Sequence, residues 1–246
     1  MTTADSLAQL QDGRMPQRYL RNLGTIGIAG QIRLLQAKVA VVGAGGLGGH
    51  VVELLARQGV GELLIIDGDS FAQHNWNRQI LSTEKNLGMN KALAAAERVA
   101  AINSDTQVQA VSRMLEPKAA EAWLGGMDVI VDALDSFAAR RMLLQAAQNL
   151  RIPLVHGAIA GFTGQVATIL PDEKIMPEFL IGETMATSGV ELQLGNPAAT
   201  PAMAAALQSQ EVVKLITGVG ETLRRQILYF DMEYNLFEKI QLKERV

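Results

Sequence analysis

Apolar residues follow two periods along this chain. Short runs rich in Val, Ile and Leu recur at 38–44 (KVAVVGA), 62–67 (ELLIID), 127–134 (MDVIVDAL) and 152–161 (IPLVHGAIAG). Such runs read as buried strands. Between them, apolar positions return at helical spacing, from about Gly46 to Gln58 with Gly59 as a stop, at 90–103 (NKALAAAERVAAIN), and at 136–150 (SFAARRMLLQAAQNL). TQVQAVS (106–112) alternates as a strand, EPKAAEAWLGG (116–126) reads as a short helix closed by glycines, and GQVATILP (164–171) as a further strand. Strand and helix therefore alternate from 38 to 158, which predicts βαβ units and a parallel sheet covered on both faces.

The ends differ. Residues 14–37 read as short Arg-rich helices. Beyond Pro171 the alternation weakens, and 171–200 mixes Pro, Gly and charge, as expected of a long mobile loop of the kind that serves as a lid or binding loop. An amphipathic helix (201–218) and a β-hairpin (224–242) complete the pattern. No repeat or low-complexity tract interrupts it.

Composition narrows the function. The 246 residues carry 22 basic and 25 acidic side chains, a net charge of −3, so no nucleic-acid partner is expected. No apolar run approaches the roughly 18 residues that span a bilayer. The opening MTTADSLAQLQDGR carries two Asp and no apolar core, so no secretory signal is expected and a cytoplasmic location is the default. Cysteine is absent, which excludes disulfides, thiolate zinc sites and a cysteine nucleophile within this sequence. The three histidines, His50, His74 and His156, are widely spaced, and no structural zinc is expected.

The stretch VAVVGAGGLGGHVV places Gly43, Gly45 and Gly48 at the G-x-G-x-x-G spacing, after a strand and before a helix. Gly43 permits a tight turn, Gly45 close approach of backbone to phosphate, and Gly48 close packing of helix on sheet; the helix N-terminus adds partial positive charge. Asp67 ends the next strand 19 residues after Gly48, where an acidic side chain accepts hydrogen bonds from ribose hydroxyls. The expected fold is therefore α/β, a Rossmann-like, mixed but mainly parallel sheet with helices on both faces and a less regular C-terminal cap. It is expected to form one domain, with N-terminal helices at 1–37, a nucleotide-binding core at 38–170, the loop at 171–200 and the helix and hairpin at 201–246.

The glycine loop leaves open whether the ligand is a nicotinamide dinucleotide or a nucleoside triphosphate. Charges further along decide. Asn75, Asn77, Arg78 and Gln79 follow the ribose strand, and Lys91 opens the next helix. A glycine loop and helix N-terminus can hold a dinucleotide's two phosphates unaided, whereas a triphosphate concentrates charge that needs Arg, Lys and a divalent cation. Asp135, in VIVDALDSF at the end of another strand, stands where a Mg²⁺ ligand would sit. Asp132 lies inside the apolar run and reads as buried and structural. Singly, Lys91 reads as a solvated first-turn residue and Arg78 as a surface ion-pair partner; together they favour a triphosphate over NAD.

Five stretches carry a more specific signal: RYLRNLGTIGIAGQIRLLQAKVAVVGAGGLGG, IIDGDSFAQHNWNRQIL, NLGMNKALAAAERVAAIN, VDALDSFAARR and IPLVHGAIAGFTGQVATIL. Together they resemble the HesA/MoeB/ThiF family, bacterial relatives of ubiquitin-activating enzymes, from about Arg18 to about residue 170 and again at QEVVKLITGVGETLRRQILYFD. The resemblance implies ATP-dependent adenylation of the C-terminal glycine carboxylate of a small ubiquitin-like sulfur carrier with a Gly-Gly tail. It implies ATP and Mg²⁺ as cofactors, a separate sulfur donor and a homodimer. By position, Gly43, Gly45, Gly46 and Gly48 belong to the phosphate loop, and Asp67 and Asp69 to the ribose end. Asn75, Arg78, Gln79 and Lys91 would hold the polyphosphate, and Asp135 would bind Mg²⁺. Arg21 would act as a finger in a neighbouring subunit's site. No general base is required, since a carboxylate is already ionised at neutral pH.

Departures from the family pattern also matter. Many members carry two C-x-x-C pairs and a cysteine near the crossover loop; here PDEKIMPEFL stands where the first pair would fall. Acyl transfer to a thiol of this chain is therefore excluded. Where the usual pattern reads C-T-D-N this chain has A-L-D-S, which keeps Asp135 and puts the shorter Ser136 beside it. NWNRQ and DALDS also look like the branch that adenylates a modified adenosine in tRNA, while HGAIAGFTGQV looks like the sulfur-carrier branch. A tRNA-modifying dehydratase, a nucleotide-binding scaffold without turnover and a nicotinamide oxidoreductase stand as the alternatives.

Overall fold

The computed structural model describes residues 3–173 and 194–242. In chain order these form α1 (Thr3–Gln11), a 3₁₀ turn (Gln17–Asn22), α2 (Leu23–Gln36), β1 (Lys38–Val42), α3 (Gly46–Gln58) and β2 (Glu62–Ile66). They continue with α4 (Lys91–Ile102), β3 (Gln107–Val111), α5 (Pro117–Leu124), β4 (Val129–Asp132), α6 (Phe137–Leu150), β5 (Leu154–Ala160) and β6 (Thr163–Ile169). The last elements are α7 (Ala199–Thr217), β7 (Gln226–Asp231) and β8 (Leu236–Gln241). The expected mobile loop at 171–200 lies largely outside the described residues, and α7 begins before its expected end.

One sheet of eight strands runs β3-β2-β1-β4-β5-β6-β7-β8. Its first five strands are parallel and the rest antiparallel, so the hairpin expected at the C-terminus continues the same sheet. Side chains alternate across a strand with period two. Accordingly Val39, Val41, Leu63 and Ile65 meet Val51 and Leu55 of α3, Val99 of α4 and Val212 of α7 on one face. Ala40, Val42, Leu64 and Ile66 meet Leu124 of α5 and Leu143 of α6 on the other. Burial on both faces explains why these strands read as continuous apolar runs.

The N-terminal segment joins the domain through a buried polar knot. In α1 the Ser6 hydroxyl donates to Asp105 Oδ2 at 2.6 Å. Tyr19 donates to the same oxygen at 3.2 Å and accepts from Asn103 Nδ2 at 2.8 Å. Burial pushes the Tyr19 phenol up to about 12, with Asn103 opposing and Asp105 adding to the rise. Among the described residues no helix is long and apolar enough to cross a membrane.

Candidate active site

The carboxyl ends of β1, β2 and β4 surround a cavity of about 940 Å³ counted out to its open mouth. Gly43, Gly45, Gly46, Asp67, Asp69, Arg78, Gln79, Lys91 and Asp135, all singled out from the sequence, line it. The glycine loop has the expected physical basis. Gly43 has φ +94°, and a Cβ there would lie 2.5 Å from the Ala133 carbonyl oxygen. At Gly48 a Cβ would lie 1.7 Å from the Gly43 oxygen, so Gly48 serves the packing of α3 on the loop and does not line the cavity. α3 begins without a side-chain cap, leaving its leading N–H groups for an anion.

Asp67 ties the loop to the end of β2. Its Oδ2 accepts the Ala44 N–H at 2.7 Å and its Oδ1 the Asp69 N–H at 2.8 Å. Burial pushes its carboxyl up, against the pull of those two donors and of Lys91. A carboxylate offers about four acceptor positions, so Asp67 keeps capacity for a ribose hydroxyl. Lys91 is not the solvated residue its position at the start of a helix suggests. It is buried, and Nζ pairs with Asp69 Oδ2 at 2.9 Å, leaving further donors of the ammonium group for a ligand. Asn90 caps α4 and donates to the carbonyls of Asp67 and Asp69 at 3.0 and 2.9 Å, which fixes Lys91 against the ribose end.

Arg78 and Gln79 follow a 3₁₀ turn at Gln73–Asn75. The Arg78 Nη1 donates to the His74 carbonyl and to Asn77 Oδ1, both at 2.9 Å, with no carboxylate partner among its hydrogen bonds and ion pairs in the described residues. Gln79 is buried, and its Oε1 has no partner among the described residues. Asn75 is buried and does not line the cavity, and its Oδ1 accepts the Ala72 N–H at 2.9 Å. Its carbonyl accepts from Arg78 and Gln79, so it shapes the turn that presents them. Arg21 likewise does not line the cavity of its own chain; it is exposed on the first 3₁₀ turn.

Asp135 lies exposed at the cavity wall, and its neighbour Ser136 has a clear local task. Ser136 caps α6, its Oγ accepting the Ala139 N–H at 3.3 Å. Among the described residues no group of three His, Cys, Asp or Glu could cage a metal. A Mg²⁺ here would rest on Asp135 together with phosphate oxygens and water, the usual arrangement for this ion.

Three lining residues with polar side chains escaped the sequence reading: Arg113, Arg140 and Asn196. Arg140 was visible in SFAARR but carried no distinguishing spacing. It folds back so that Nε and Nη2 donate to the Leu134 carbonyl at 3.0 and 2.7 Å. Asn196 enters from the far end of the chain, its carbonyl accepting from Asn77 Nδ2 at 3.0 Å. Lys91, Arg78, Arg113 and Arg140 with a bare helix N-terminus fit a nucleoside triphosphate better than a dinucleotide. Fold and site thus define a Rossmann-type nucleotide-binding domain with a cationic phosphate end.

Similarity to known proteins agrees. A ThiF family profile matches residues 19–246. The SAMP-activating enzyme E1 of Haloferax volcanii is 36% identical over 238 residues, covering 93% of this chain and 86% of that protein. The sulfur carrier protein adenylyltransferase of Thermus thermophilus is 34% identical over 235 residues, 92% of this chain and 87% of that protein. Adenylyltransferase and sulfurtransferase MOCS3-1 of Zea mays is 36% identical over 234 residues; the match covers 89% of this chain but 49% of that protein. The crystal structure of E. coli MccB with ATP shares the fold, with a TM-score of 0.77 at 22% identity over 92% of this chain and 72% of that one. The chain belongs to the ThiF family, and it is an ATP-dependent adenylyltransferase.

Proposed function

We propose that this enzyme adenylates the C-terminal glycine carboxylate of a small ubiquitin-like sulfur carrier protein and releases pyrophosphate. The names of the Haloferax and Thermus relatives support that substrate class. The observation that carries the reading is the cavity itself, where Lys91, Arg78 and Arg140 share a wall with Asp135. In this reading the glycine loop and the start of α3 hold the phosphates, and Asp67 takes the ribose. A carboxylate oxygen of the carrier's last glycine forms a bond to the α-phosphorus as the bond to the β-phosphate oxygen breaks. Arg78 and Lys91 spread the charge that grows on the leaving pyrophosphate; Asp135 would hold Mg²⁺, which would supply further charge neutralisation. Positioning and charge stabilisation are sufficient, because the attacking carboxylate arrives ionised.

With no cysteine in the sequence, the acyl adenylate passes to a separate sulfur donor and not to a thiol of this chain. The chain acts as one adenylation domain in a homodimer, with Arg21 reaching the partner subunit's site. The test is ATP–pyrophosphate exchange with Gly-Gly-tailed carriers from the same genome. Exchange that needs such a carrier, and falls about 100-fold or more in Lys91→Ala and Asp135→Ala, is the expected result. Exchange absent with every carrier, or ATP hydrolysis that depends on tRNA instead, would overturn the reading.

A further inference from the structure

Beneath the cavity wall lies a buried Asp–His hydrogen-bonded pair that the reaction as described leaves unused. Asp132 ends β4 and His156 is its register partner on β5, each almost wholly buried on the side of the sheet that α5 and α6 cover. His156 Nδ1 stands 2.7 Å from Asp132 Oδ2. We propose that His156 is a positioning residue for the nucleotide reaction, acting through Asp132 on the β4–α6 turn that carries Asp135 and Arg140; this rests on the adenylation reading above.

The contacts run in one direction. Asp132 Oδ1 accepts the Leu134 N–H at 3.1 Å, so the carboxylate sets the backbone one residue before Asp135. The Leu134 carbonyl in turn receives both donors of Arg140, whose Nε is 4.0 Å from Asp132 Oδ2. From α7, Gln208 Nε2 donates to the Asp132 carbonyl at 2.8 Å and holds the strand end from the opposite face. On the outer side Gln165 Nε2 lies 3.5 Å from His156 Nε2. An amide N–H directed at Nε2 makes that nitrogen the acceptor and leaves the ring proton on Nδ1, where it is donated to Asp132.

Removing His156 leaves a buried carboxylate one donor short. Arg140 is the nearest remaining cation. Its guanidinium would turn to Asp132, leave the Leu134 carbonyl and carry the turn with it. A shift of about 1 Å at reacting groups costs about 100-fold in rate, so the effect should fall on turnover more than on nucleotide affinity. A role confined to holding the strands together would instead lower thermal stability alone.

The comparison is between His156→Leu, which deletes the donor, and His156→Asn, whose amide N–H stands near the place of Nδ1. Steady-state exchange gives kcat and the KM for ATP. Calorimetric titration with α,β-methylene-ATP, with and without Mg²⁺, gives a readout that does not require turnover. We expect His156→Leu to lower kcat about 10- to 100-fold with the KM changed less than about threefold. The gain in analogue affinity from Mg²⁺ should shrink as well, and His156→Asn should restore most of both. A His156→Leu enzyme with kcat and Mg²⁺-dependent affinity within about twofold of the parent overturns the proposal, as does His156→Asn behaving no better than His156→Leu. If the parent shows no exchange with any carrier, the adenylation reading fails and the calorimetric arm alone decides the role of His156. Should His156→Leu not fold, Gln165→Leu at its half-buried site is read by the same two measurements. A loss of about two- to fivefold in kcat supports the proposal, and no change overturns it.

Discussion

The two halves of the sheet are built to different rules. β1, β2 and β4, in the parallel half, are buried along almost their whole length, with helices on both faces. β8, at the antiparallel edge, is exposed at every position and presents Leu236, Phe237 and Ile240 to the outside. Among the described residues, those lining the cavity come chiefly from the ends of the parallel strands and the segments that follow them. The difference separates two tasks. Parallel strands bring several chain turns to one end of the sheet, where loop chemistry can converge; antiparallel strands extend the surface beside that point. α7 joins the halves, with Gln208 on the carbonyls of Asp132 and Val155 and Glu211 accepting from Thr168 Oγ1 at 2.5 Å and Leu223 N–H at 2.7 Å.

The comparison can be broken most directly by cutting a side chain from each half. Ile65→Ala should cost about 2–5 kcal/mol in urea unfolding, because Ile65 is fully enclosed between the sheet and α3. Phe237→Ala should cost about 1 kcal/mol, since half of the ring is exposed and its main partner is Phe230 at a centroid distance of 5.9 Å. Equal costs would show that the antiparallel edge shares the core after all. Next in size, Ser136→Ala should lose about 1 kcal/mol as the cap of α6 disappears, while Ser136→Asn keeps it. A helix as stable without the hydroxyl would deny Ser136 its structural task.

A last effect depends on pH and concerns the N-terminal arm. The Tyr19 phenol is raised from 10.0 to about 12 in the folded chain, so folding favours its neutral form. That contribution is complete below pH 10 and is lost as pH rises from 10 towards 12. Tyr19→Phe should therefore show a shallower fall in unfolding free energy over that range than the parent. Parallel slopes would remove the buried phenol from the account.

Much of this was legible in the sequence, and the part that was not has a common cause. The strand and helix assignments from 38 to 169 follow from local periodicity and from glycines at loop positions, and they fall within a few residues of the observed bounds. That Gly43, Gly45, Asp67 and Asp135 would share one cavity could be anticipated because motif and strand end coincide. Arg140 was missed because nothing in its spacing sets it apart, and Asn196 because it reaches the cavity from far along the chain. The part Asn75 plays in its own turn, where its Oδ1 accepts the Ala72 N–H, is likewise a contact that no motif records. The Asp132–His156 pair required knowledge of strand register, which periodicity does not supply.

Asp67 has a further consequence for how a ligand is received. Because its two oxygens grip the Ala44 and Asp69 amides, the protein's own hydrogen bonds shape the concave bed for phosphate. Little conformational freedom is left to surrender on arrival, so affinity is not spent on building the receptor. Capture should then be governed by electrostatic attraction and diffusion, with association that slows as ionic strength rises.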